Sequence, residues 1–161
     1  MTFVTKSIDI KTPVENVFTY FARPEHISDQ IKTDVVGMTV VPMDIKEGMG
    51  VGTTFRIIGD FSGKRLEWDC ETTEFVKDKK ISAKQIEGPF KKWQITNEFE
   101  ALSDNLTRIT MSVDYEMPFG PLGAILDKQN LQNLLRKEWR LLFTTLEVYL
   151  KEMVQFRCTS H

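Results

Sequence analysis

From Thr33 to Met117 the chain alternates apolar and polar side chains with a period of two. In "TFRIIGDF" Phe55, Ile57 and Phe61 stand opposite Arg56 and Asp60, and in "RLEWDCET" Leu66, Trp68, Cys70 and Thr72 alternate with charged neighbours. "KWQITNEFEA" sets Trp93, Ile95, Asn97, Phe99 and Ala101 on one side, and "TRITMSVDYEM" does the same with Ile109, Met111, Val113, Tyr115 and Met117. Such alternation predicts antiparallel strands with one dry and one wet face. "FSGK", "VKDKK", "GPFK" and "LSDNL" carry the turn chemistry between them.

The two ends read differently. "FVTKSIDI" is a first strand in which Phe3, Thr5 and Ser7 oppose Val4, Lys6, Ile8 and Ile10, with the apolar face switching near Lys6. In "KTPVENVFTYFA" Thr12 and Glu15 spell a capping box around Pro13, and Val14, Val17, Phe18 and Phe21 share a helical face. "PEHISDQI" supplies a second short helix after Pro24. From about Pro121 to Met153, Leu135, Trp139, Leu142, Phe143, Leu146 and Leu150 form the face of a long amphipathic helix. At ~1.5 Å per residue it is a rod of roughly 45–50 Å, enough to span the domain. A one-sided sheet needs a cover, and this helix is the only element large enough. In "YEMPFGPLGAIL", Pro118 and Pro121 stop strand pairing, while Gly120 and Gly123 permit the corner that leads into it.

The expected fold class is therefore α+β: a curved antiparallel sheet of about six or seven strands, two short helices, and a long C-terminal helix over the sheet. Residues 1–155 read as one domain and 156–161 as a C-terminal tail.

Composition narrows the function. Apolar residues make up 41% and charged residues 27% of 161, and the net charge of −2 with scattered lysines leaves no footprint for nucleic acid. No apolar run approaches the ~18 residues of a membrane span, and the alternating N-terminus does not read as a signal peptide. Cys70 and Cys158 lack metal-type spacing, and only His26 and His161 accompany them. Two free thiols in the cytoplasm, with neither metal nor cofactor, is the simpler expectation. "GMGVG" lacks the third glycine and the helix of a dinucleotide loop, and "SGKR" lacks the rest of a phosphate-binding loop.

The chain as a whole resembles the START-like superfamily of helix-grip proteins, in its polyketide cyclase/dehydratase branch. The resemblance lies in "TPVENVF…ARPEH", "GVGTTFR", "EGPFKKW", "TRITMSVDYEMPFGPLG" and "LLFTTLEVYLK", and covers roughly residues 3–153. The family often has a Trp after the second short helix, where this chain has "SDQIKTD". The resemblance implies a ligand cavity between sheet and C-terminal helix, and no universal catalytic signature.

Polar residues turned towards the dry face mark candidate chemistry. Asn97 lies between Ile95 and Phe99, Gln85 is similar in "ISAKQIEG", and Lys128 and Gln132 project on the side of Leu135 and Trp139. A buried amide without partners costs ~1–3 kcal/mol, so each implies a backbone partner, water or a ligand. Candidate lining residues on the strands are Phe55, Ile57, Trp68, Cys70, Trp93, Ile95, Met111, Val113 and Tyr115, which serve equally well as ordinary core. Cys70, facing inward, reads as an inert packed thiol, and His26 has no acid partner. The leading expectation is a binding module for a small or medium hydrophobic molecule of lipid, polyketide or isoprenoid type, oriented by Asn97, Gln132 or Tyr115. A cyclase or dehydratase using Tyr115 or Lys128 is the alternative, and a protein partner at the groove rim around Phe119 and Leu122 is the third.

Overall fold

The computed structural model describes residues 2–22, 38–46, 50–61 and 64–117. The second short helix, the Pro118–Gly123 corner, the long C-terminal helix and the tail lie outside the described residues. Within them the order is β1 (Thr2–Ile10), α1 (Val14–Ala22), β2 (Met38–Asp44), β3 (Thr54–Phe61), β4 (Lys64–Val76), β5 (Lys80–Glu87), β6 (Lys92–Ser103) and β7 (Leu106–Glu116). The strands form one sheet in the order β1-β7-β6-β5-β4-β3-β2, with every neighbouring pair antiparallel. β1 and β2 follow one another in sequence yet occupy opposite edges. The chain between them must cross the sheet, and α1, which packs on β6 and β7, is part of that crossing.

Local chemistry explains the turns. Asp78 closes the three-residue β4–β5 loop with φ 58°, a left-handed conformation that Asp tolerates better than most residues. Pro42, which cannot donate to a ladder, sits in edge strand β2, next to a register shift before Asp44. The outer face is held by cross-strand pairs: Thr5 with Ser112 (3.0 Å), Ser7 with Thr110 (2.8 Å) and Ser82 with Thr96 (3.2 Å). Two bidentate pairs add to them, Arg56 to Asp69 at 2.7 and 3.0 Å and Arg108 to Asp9 at 2.8 and 3.1 Å.

Two local expectations are corrected. β1 pairs with β7 in unbroken register from Thr2 to Ile10, so Val4, Lys6, Ile8 and Ile10 share the inner face and no switch occurs at Lys6. An unbroken ladder keeps strict alternation, whatever the polarity of one residue. Helix α1 also starts one residue later than the capping-box reading. The Pro13 carbonyl accepts from Asn16 and Val17, while the Thr12 carbonyl accepts from the Thr107 hydroxyl at 2.7 Å. Thr12 is thus spent on fastening the helix entry to β7.

Candidate functional site

Antiparallel register places inner-facing side chains of adjacent strands in rows. One row runs Val4, Val113, Ile95, Ala83; the next runs Lys6, Met111, Asn97, Ile81; a third runs Ile8, Ile109, Phe99. Tyr115 stands beside Trp93 one row further along. On the other wing Cys70 pairs with Phe55 and Trp68 with Ile57.

Two aromatic groups hold the ends of this face. Under α1, Phe18 meets Phe75 at 5.2 Å and Phe99 at 5.5 Å, and Phe21 meets Phe99 at 5.2 Å. At the far end Trp68, Phe90 and Trp93 pack with ring centroids 4.8–5.2 Å apart, and Tyr115 joins Trp93 at 6.0 Å. These are edge-on or tilted contacts of the kind aromatic quadrupoles favour. Gly88 lets the β5–β6 loop close on this group, because a methyl there would collide with the Trp68 Cβ and the Gln85 amide.

Between the two groups the packing opens. Trp93 and Phe99 are buried, yet Ile95 and Asn97, between them on β6, are only half-buried. β5 and β7 flank this strand, and the outer face carries Gln94, Thr96 and Glu98 instead. Solvent therefore reaches Ile95 and Asn97 from the inner side. Asn97 Oδ1 is itself buried and accepts no hydrogen bond, and Trp93 Nε1 (residue 2% exposed) donates none. An acceptor and a donor are thus left unmatched on one face of β6, four residues apart, at a cost of about 1–3 kcal/mol each. Gln85 differs: its Nε2 donates to the Phe90 carbonyl at 2.8 Å, so its amide braces the loop, although its Oε1 has no partner.

All ten described candidates occupy the inner face. Ile57, Trp68, Cys70, Trp93, Met111, Val113 and Tyr115 are buried there, while Phe55, Ile95 and Asn97 are half-buried. Phe119, Leu122, Lys128, Gln132, Leu135 and Trp139 lie outside the described residues. Sequence reasoning missed Phe90, placed in a turn, and Lys6, whose alternation with Val4 and Ile8 was the available signal. Burial pushes the Cys70 thiol up to about 12, with nearby Asp69 adding to the effect, so it stays protonated at neutral pH. Among the described residues no group of three or more His, Cys, Asp and Glu is placed to hold a metal ion. No helix among them is long and apolar enough to cross a membrane.

A seven-stranded antiparallel sheet with a helix on its inner face is the architecture of START-like proteins, and solved structures bear this out. A Thermus thermophilus protein superposes with a TM-score of 0.75 at 20% identity, over 94% of this chain and 99% of its own. The aromatase/cyclase Zhui of a Streptomyces species gives 0.76 at 12% identity over 95% of each chain. A START superfamily protein of Mycobacterium smegmatis gives 0.69 at 12% identity, over 94% of this chain and 98% of its own. The sequence matches the family described as "Polyketide cyclase / dehydrase and lipid transport" across residues 10–135. The chain belongs to that family. No curated protein sequence matches it.

Proposed function

We propose that this protein binds a small or medium hydrophobic molecule, of lipid, polyketide or isoprenoid type, over the inner face of its sheet. In this reading the segment from about 121 to 153 forms the long helix that closes the cavity. The half-buried Ile95–Asn97 stretch between two packed aromatic groups carries the proposal, since it leaves apolar surface open on the inner side next to buried polar atoms without hydrogen-bond partners. A ligand there buries the apolar surface at roughly 25 cal/mol per Å² and supplies the missing hydrogen-bond partners. Membership of a family whose description includes lipid transport supports the same reading.

The family description also includes cyclase and dehydrase chemistry, which calls for titratable groups that converge on a substrate. Among the described residues the inner face offers Lys6, Tyr115 and a thiol kept protonated by burial. Binding is therefore the reading favoured here. Native mass spectrometry of the gently purified protein, with Trp fluorescence titrations of fatty acids, sterols and fused-ring polyketides, tests it. One class is expected to bind one-to-one and change the emission. Failure of every class to bind would overturn the proposal.

A further inference from the structure

Among residues whose side chains are described, the inner face is almost free of charge. Asp9, Arg56, Glu67, Asp69, Glu71, Glu98, Glu100, Arg108, Asp114 and Glu116 all take outward positions in the ladders. Among residues whose side chains are described, Lys6 is the one charged group that the register turns inward. It is half-buried, and none of the ion pairs found among the described residues includes it. It stands beside Met111, with Asn97 on the next strand, so the ammonium-bearing chain and the unmatched amide oxygen share one row. Adjacent strands are about 4.8 Å apart, which puts their backbones roughly 10 Å from one another. A lysine stem and an asparagine together reach across such a gap.

From this placement we infer that the ligand is an anion: an apolar molecule with one carboxylate, whose charge is met by Lys6 while its apolar body lies over Ile95 and the aromatic groups. The inference deepens the binding reading and rests on it. A charge on an otherwise apolar surface is costly unless something of opposite sign arrives, and here no described carboxylate faces it. The same position has a purely structural explanation, because β1 is an edge strand and inward-pointing charges discourage edge-to-edge association. The two explanations separate in solution.

Binding is measured calorimetrically for two matched pairs, palmitate with methyl palmitate and anthracene carboxylate with its methyl ester. The unmodified protein, Lys6→Met and Lys6→Arg are compared. Lys6→Met keeps most of the aliphatic stem, and Lys6→Arg keeps the charge. In the unmodified protein at least one acid should bind about tenfold or more tighter than its ester, the scale of a charge-assisted contact. Lys6→Met should erase that preference with little effect on the ester, and Lys6→Arg should retain most of it. Equal binding of acid and ester, or a preference that survives Lys6→Met, would overturn the inference while leaving hydrophobic binding intact. If Lys6→Met also self-associates, the edge-guard role replaces it. If none of the four compounds nor any hydrophobic probe binds, both readings fall.

Discussion

Asn97 and Trp93 lie four residues apart on the same face of β6 and do different work. Trp93 packs against Trp68, Phe90 and Tyr115, so Trp93→Ala removes the centre of an aromatic group and should cost about 3–5 kcal/mol. Asn97 contributes an acceptor that nothing satisfies, and an apolar residue of similar size removes that penalty. Asn97→Leu should therefore shift stability by less than about 1 kcal/mol in denaturant melts, and weaken ligands that present a hydroxyl to this row. A loss as large as that of Trp93→Ala would make Asn97 a structural residue. Gly88 gives a third test at this scale. Its φ of 154° is unusual for an L-residue, and Gly88→Ala drives a methyl into fixed Trp68 atoms. A loss of about 1–3 kcal/mol is expected from such overpacking, read as an earlier urea midpoint with blue- or red-shifted Trp emission. An unchanged midpoint would mean that the loop relaxes freely.

Strands and turns show how far local pattern reaches. β3, β4, β6 and β7 were legible because each alternates for most of its length and has one face to bury. β2 was not singled out, since Pro42 and a register shift break its pattern and only an edge tolerates both. Lys6 was read as a change of face because polarity stood in for direction, whereas the ladder to β7 dictates direction. Thr12 was read as the helix cap one residue too early, and its tertiary bond from Thr107 is a contact between distant residues that no local pattern encodes. The half-open patch at Ile95 and Asn97 is of the same kind: the strand pattern places both inward, and only packing tells which inward residues stay uncovered. Pairing between strands also has a pH signature. The Arg56 hydrogen bonds hold the Asp69 carboxyl below its ordinary value, against burial, with the opposite charge assisting. A carboxyl lowered in the folded state adds stability that is present above its ordinary range and lost as pH falls through the lowered value. Asp69→Asn should accordingly flatten the acid limb of stability below about pH 4 while changing little in the slope near neutrality. Urea midpoints taken from pH 2 to 7 decide it, and parallel acid limbs for both proteins would show that the β3–β4 pair contributes nothing.

At the scale of the whole molecule, one sheet has both wings turned over a common inner face, and α1 covers only the end near Phe75 and Phe99. A fold that leaves part of its largest apolar face accessible forgoes burial that would otherwise stabilise it. The deficit is recovered only when something occupies the face, so binding and folding are thermodynamically linked. A ligand that binds the folded chain alone adds about 2.7 kcal/mol at a hundredfold excess over its Kd. For a two-state unit of this length each kcal/mol moves Tm by roughly 2–4 °C, which predicts a rise of about 5–11 °C. The rise should grow with the logarithm of ligand concentration, and the amides of β4, β6 and β7 should exchange more slowly in parallel. A compound that quenches Trp emission but leaves Tm unchanged over that range would be touching the surface, not occupying the inner face of the sheet. A concentration-independent jump would point to a second assembled state, and the protein-partner reading would then take precedence over a small-molecule cavity.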